Sequence, residues 1–144
     1  ASAGGFAAIK NKCDFDVHVW SVSADGASSA TTISKNGGSY KESYKKPSVG
    51  GMSLKLSPSN PMGAVTQFEY TLADQIFYDI SDIDCVQNGN CPFYEYGLYL
   101  DSAPGCPNVT CAAGIDKCPE AYNLPDDIRT SACQASADLT LYLC

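Results

Sequence analysis

The chain has 144 residues, with 16 acidic side chains against 9 basic ones, a net charge of −7, eight cysteines and a single histidine. A surface that binds phosphates must be cationic, so nucleic acid is excluded as a partner. One histidine and no C-x-x-C pair likewise leave no familiar zinc ligand set.

An even cysteine count points to a disulfide framework in an exported protein rather than to a metal or redox site. No metal and no cofactor is expected. The chain begins at Ala1, without methionine or an apolar leader, as a secreted chain does once its signal peptide is removed. No apolar run approaches the ~18 residues a transmembrane helix needs, so a soluble monomer with no membrane contact is expected. Asn108-Val109-Thr110 is an N-glycosylation acceptor. A chain this long buries roughly 70% of its unfolded surface, enough for one domain spanning 1–144. The charge is uneven: residues 1–56 hold seven lysines and four acids, whereas residues 57–144 hold two basic residues and twelve acids. Lys41, Lys45 and Lys46 read as a solvated strand edge.

In chain order, apolar residues recur with a period of two. Phe15, Val17 and Val19 alternate with Asp16, His18 and Trp20; Met52, Leu54 and Leu56 with Ser53 and Lys55. Phe68, Tyr70 and Leu72 face away from Gln67, Glu69 and Thr71, and Leu139, Leu141 and Leu143 from Asp138, Thr140 and Tyr142. Each run predicts a half-buried antiparallel strand. Residues 76–83 and 93–100 are further strand candidates. Between the runs lie Asp25-Gly26, Asn36-Gly37-Gly38, Gly50-Gly51 and the Pro58–Pro61 stretch, which are turn signals. The class is therefore all-β, an antiparallel β-sandwich or flattened barrel. From about 101 to 133 the alternation stops, and a loop-rich cysteine lobe is expected, with at most one helical turn near Pro119–Tyr122.

A Ser-His-Asp arrangement has nothing to build on, and His18 reads as a structural or surface histidine. The candidate chemistry is in carboxylates: Glu69, Asp74, Asp79, Asp82, Asp84, Asp126 and Asp127. Paired carboxyls can hydrolyse a glycoside when one has a raised pKa, and they can also bind sugar hydroxyls without catalysis. Asp82 and Asp84 would share a strand face, whereas Asp79 and Asp84 reach one cleft only if the strand bends near Ser81. Phe93, Tyr94, Tyr96 and Tyr99 read first as packing residues, with sugar stacking as the alternative.

Four segments resemble the thaumatin-like proteins in a small form, and specifically the fungal secreted Bys (yeast-phase-specific) group. They are FAAIKNKCDFDVHVW, FEYTLADQIFYDISDID, GCPNVTCAAGIDKCP and CPEAYNLPDDIRTSAC. The resemblance implies the pairs Cys13–Cys144, Cys106–Cys133 and Cys111–Cys118, and leaves Cys85–Cys91 as the remaining pair. It implies an acidic cleft of Glu69, Asp79, Asp84 and Asp127, or Asp126 in place of the last. The family's cleft arginine has no counterpart, the only arginine being Arg129, and its second domain is reduced between Cys111 and Cys118; both departures count against tight glucan binding or hydrolysis. The resemblance implies a secreted, non-enzymatic protein that binds β-1,3-glucan or a related cell-wall polysaccharide. The alternatives are a scaffold that binds a host or extracellular protein, as effector, adhesin or inhibitor, and a weak endo-β-1,3-glucanase with Glu69 as acid and Asp84 or Asp79 as partner.

Overall fold

The computed structural model describes residues 5–87, 89, 91–115 and 117–144. Twelve strands and one short helix follow in order: β1 (Phe6–Asn11), β2 (Val17–Ser23), β3 (Gly26–Ala27), β4 (Thr31–Ile33), β5 (Gly38–Ser43), β6 (Met52–Ser57), β7 (Thr66–Leu72), β8 (Gln75–Ser81), α1 (Ile83–Val86), β9 (Leu98–Asp101), β10 (Val109–Cys111), β11 (Ser131–Gln134) and β12 (Leu139–Leu143). They form a five-stranded sheet, β10-β9-β12-β1-β5, and a larger sheet, β11-β8-β7-β6-β2-β3, with β4 also pairing β2.

The alternating runs turn their apolar sides toward one another between the sheets. Ile9, Leu100, Leu139 and Leu141 from the first sheet and Leu54, Leu56, Phe68 and Ile80 from the second are fully buried. Burying each such side chain contributes about 1.5–3 kcal/mol before chain entropy is subtracted. The outward positions remain half-buried or exposed, as a two-layer β-sandwich requires.

One pairing departs from the antiparallel expectation. β1 and β12 run parallel, from Ala7 beside Leu139 to Asn11 beside Leu143. Alternation has the same period in both orientations, so the pattern alone could not separate them. At the end of β1 the fully buried Asn11 amide donates to the carbonyls of Phe15 and Ile33, each at 3.0 Å, and its Oδ1 accepts the Cys13 N–H at 3.0 Å. This side chain ties β1 to the start of β2 and the end of β4.

Other boundaries also move. Phe15 precedes β2, and β3 and β4 are short strands that the sequence pattern did not reveal. The 93–100 candidate is a strand only from Leu98, because the Phe93 carbonyl accepts the N–H groups of Tyr96 and Gly97 and closes a turn. Gly97 has φ +80°, and a Cβ there would stand 2.9 Å from the Cys111 carbonyl oxygen, so only glycine fits. The 76–83 candidate stops at Ser81, where the chain turns into α1. No helical turn forms at Pro119–Tyr122; Tyr122 instead bridges to Ser81. The cysteine lobe holds β10 and β11, three and four residues long, too short to show a period.

The bonded pairs are Cys13–Cys144, Cys85–Cys91, Cys106–Cys133 and Cys111–Cys118. Their sequence separations are 131, 6, 27 and 7 residues, and loop entropy rises with separation. Replacing both Cys13 and Cys144 by alanine is expected to cost about 4–5 kcal/mol, and replacing Cys85 and Cys91 about 2 kcal/mol. Urea unfolding of the two double variants measures the order, and equal losses would refute the loop-length account.

Candidate functional site

The outer face of the larger sheet is polar because β6, β7 and β8 each place a polar side chain at alternate positions. Register brings them together: Ser53 lies beside Glu69 and Glu69 beside Asp79, while Lys55 lies beside Gln67 and Gln67 beside Ser81. Glu69 and Asp79 are thus cross-strand neighbours on one face, with Cβ atoms about 4.5–5.5 Å apart by sheet geometry.

The two carboxyls lie within hydrogen-bonding reach, and a bond between them requires a proton on one. Burial, followed by the hydrogen bond and the charge of Glu69, pushes the Asp79 pKa up to about 9. Without that proton, Asp79 Oδ1 is a buried oxygen with no partner. The pair is therefore a one-proton unit at neutral pH, comparable in principle to other like-charge carboxyl pairs.

Asp84 joins this face by another route. The bend after Ser81 places it in the first turn of α1. From there its Oδ2 accepts from Gln67 Nε2 at 3.0 Å and meets Lys55 Nζ at 3.4 Å. Ser53 Oγ donates to the other end of the Gln67 amide at 2.8 Å. Gln67 thus connects Asp84 to the row that holds Glu69. Asp82 does not share a face with Asp84: it is buried ahead of α1, accepts from Thr66 Oγ1 at 2.8 Å, and has its carboxyl pKa raised by burial. It lies close to Cys85 and Cys91, but sulfurs bonded to each other are not thiolate ligands.

Asp127 is used differently. Its Oδ2 accepts the N–H groups of Asn123 at 2.9 Å and Leu124 at 3.0 Å, and these bonds hold its carboxyl below the usual range. It shapes its own loop, and no bond joins it to Glu69, Asp79 or Asp84 among the described residues. Asp126 is exposed beside it. The structure brings together three of the four candidate acids and gives the fourth a local duty.

Lys55 and Gln67 belong to the site as well. Their alternation was visible, but which side chains stand opposite each other depends on register, which the sequence does not state. Trp20 extends the Lys55–Gln67 row, being paired with Lys55, and its ring centroid lies 6.2 Å from that of His18. Of the four aromatic candidates, Phe93 is core, while Tyr94, Tyr96 and Tyr99 are exposed.

Two packed β-sheets with this strand order, cross-linked by four disulfides, form the thaumatin-like fold. The chain superposes on the crystal structure of the protein elicitor MoHrip2 from Magnaporthe oryzae with a TM-score of 0.80 at 23% identity, over 97% of this chain and 98% of that one. The thaumatin-like xylanase inhibitor TLXI gives a TM-score of 0.60 at 15% identity, over 96% and 98%. The chain belongs to the Bys1 family, described as Blastomyces yeast-phase-specific protein, which it matches over residues 1–144. It is 39% identical to the antigenic thaumatin-like protein of Arthroderma benhamiae, over 97% of this chain and 71% of that relative. It is 36% identical to the secreted thaumatin-like protein calA of Emericella nidulans, over 99% and 82%. Four disulfides agree with an extracellular setting such as the second name implies.

The Glu69–Asp79 unit has a consequence for pH. The native state keeps a proton on Asp79 that the unfolded chain releases above about pH 4. Its contribution to stability is complete below that pH and is lost as pH rises toward about 9. Urea midpoints of the native chain, measured relative to Asp79→Asn, should therefore fall steadily between about pH 5 and about pH 9. Parallel profiles would mean that Asp79 titrates as an ordinary carboxyl.

Proposed function

We propose that the protein is a secreted, non-enzymatic recognition protein that binds β-1,3-glucan or a related polysaccharide on the outer face of its larger sheet. The observation that carries this reading is the convergence of Glu69, Asp79, Asp84, Gln67 and Lys55 on one open face, with Trp20 at its margin. Carboxylate and amide groups fixed on strands offer acceptors and donors to sugar hydroxyls, and an indole supplies a stacking surface.

The same geometry argues against hydrolysis by Glu69 and Asp79. Glycosidase carboxyls stand about 5–5.5 Å apart in retaining enzymes and about 6.5–9.5 Å in inverting ones. Glu69 and Asp79 are directly opposed cross-strand neighbours within hydrogen-bonding reach of each other, closer than either spacing. Asp84, the other partner considered, is held by Lys55 and Gln67.

Incubation with insoluble β-1,3-glucan should pull the protein from the supernatant, with Glu69→Gln and Asp84→Asn each weakening retention by about tenfold. Soluble reducing sugar should not appear. Protein left wholly in the supernatant would end the glucan reading, and sugar release lost in Glu69→Gln would replace it with an enzymatic one.

A protein-binding scaffold is the second reading. It is favoured by apolar side chains on the 122–130 loop, where Leu124 is 54% and Ile128 84% exposed, since loops carry recognition on rigid sandwiches. Two proteins of similar fold, the elicitor MoHrip2 and the xylanase inhibitor TLXI, agree with such a role.

Asn108 is exposed just before β10, and we propose that it carries an N-glycan. Enzymatic removal of N-glycans should lower the mass of chain expressed in a fungal host, and Asn108→Gln should abolish that change. An unchanged mass would show the acceptor to be unused.

A further inference from the structure

The smaller sheet has an outer face of a different character, one that the acidic site does not use. Register places Thr110 beside Tyr99, Tyr99 beside Tyr142, Tyr142 beside Lys10 and Lys10 beside Ser39. This single row crosses all five strands, β10-β9-β12-β1-β5, so it runs perpendicular to them for about 19 Å at the usual strand spacing. Alternation puts all five side chains on the outer face, and their neighbours Leu100, Leu141 and Ile9 point inward and are fully buried.

The Tyr99 and Tyr142 rings are 6.4 Å apart between centroids, with planes 29° from parallel. Asp101 lies two residues along the same strand face as Tyr99. Lys12 Nζ stands 5.1 Å over the Tyr142 ring, and an open groove of about 630 Å³, with Lys12, Tyr96, Tyr99, Asp101 and Tyr142 in its lining, adjoins the row. On the other side, Lys41 Nζ stands 3.8 Å over the Phe6 ring. Lys10, Lys12 and Lys41 are exposed and form no ion pair among the described residues. Of the acids at the margin, Glu120 accepts the Thr110 N–H and Asp138 accepts the Phe6 N–H.

Cross-strand packing accounts for contact between two tyrosines, and lysines guard an edge strand such as β5. Neither accounts for Lys10 on β1, a strand inside the sheet, in line with an aromatic pair. Charge complementarity decides the occupant. A protein of net charge −7 has gathered free cations here, and rings beside them suit a ligand with flat apolar faces and anionic substituents. We propose that this row binds an acidic polysaccharide, a chain of uronate-bearing pyranose units: sugar faces rest on Tyr99 and Tyr142, and carboxylates meet Lys10, Lys12 and Lys41.

Calorimetric titration with soluble polygalacturonate fragments tests the proposal. Binding is expected to weaken as salt rises, to fall about tenfold in Tyr99→Ala and in Lys10→Gln, and to persist in Lys35→Gln, which removes an equal charge elsewhere. Thermal melts confirm that each variant folds, and Lys12→Gln provides an alternative should Tyr99→Ala fail to. Polyglutamate and single-stranded oligothymidylate serve as anions without sugar acid rings. Stronger binding of either one, equal weakening by Lys35→Gln, or no polygalacturonate binding at all would overturn the proposal.

Discussion

The sandwich depends on the parallel pairing of its first strand with its last. β1 and β12 lie side by side within the smaller sheet, and Cys13 is bonded to Cys144 at the end of that pair. Every other partner in the sheet is placed relative to these two, since β5 pairs β1 and β9 pairs β12. A contact that spans nearly the whole chain is entropically expensive to close, and sheets rich in such contacts fold slowly. The disulfide removes most of that closure entropy from the unfolded state. Asn11 adds direction to the crosslink: its buried amide binds carbonyls on both β2's approach and β4, so the smaller sheet is joined to the larger one where the chain first crosses between them.

A second polar tie joins the sheets at the other end of the β1–β5 pair. Glu42 on β5 is buried, accepting from Tyr40 Oη at 2.6 Å and Tyr70 Oη at 2.5 Å, with Lys45 3.5 Å away. Burial first, then Glu42, pushes both tyrosine hydroxyls upward, so they remain donors. Buried carboxyls elsewhere in this fold are satisfied in different ways. Asp82 has Thr66, Glu42 has two phenols, and Asp79 stands opposite the carboxyl of Glu69. A core position could replace such a group with an apolar one at little cost. Asp79, however, faces outward on its strand and is half-buried, where its proton is available to whatever approaches the sheet.

The parts of this arrangement written as local period were legible in the sequence. Val17–Val19, Met52–Leu56, Phe68–Leu72 and Leu139–Leu143 each announced a strand and its buried side. The resemblance supplied the cysteine partners, which spacing alone left among many possibilities. What stayed hidden was relational. The orientation of β12, the Lys55–Gln67 and Tyr99–Tyr142 pairings, and the arrival of Tyr122 beside Ser81 all depend on contacts between distant segments. The 93–97 stretch misled because its aromatic content suits a strand, whereas Gly97's close approach to the Cys111 carbonyl fixes a turn. Asp127 misled for a related reason: a carboxylate at the right place in a motif was spent on two backbone N–H groups, and such capping leaves no periodic signal.

The charge imbalance along the chain acquires a spatial meaning once the strands are ordered. The lysine-rich first third supplies β1 and β5, which sit together at one side of the smaller sheet. The acid-rich middle supplies β7, β8 and α1, which place Glu69, Asp79 and Asp84 on the outer face of the larger one. Because a sandwich buries only its inner faces, each outer face is free to carry its own chemistry, constrained by nothing more than alternation and register. The charges are therefore sorted onto opposite surfaces without any cost to the core between them. A sandwich built this way presents carboxylates on one outer face and cations with rings on the other, and a side-chain change on either face leaves the packing between the sheets in place.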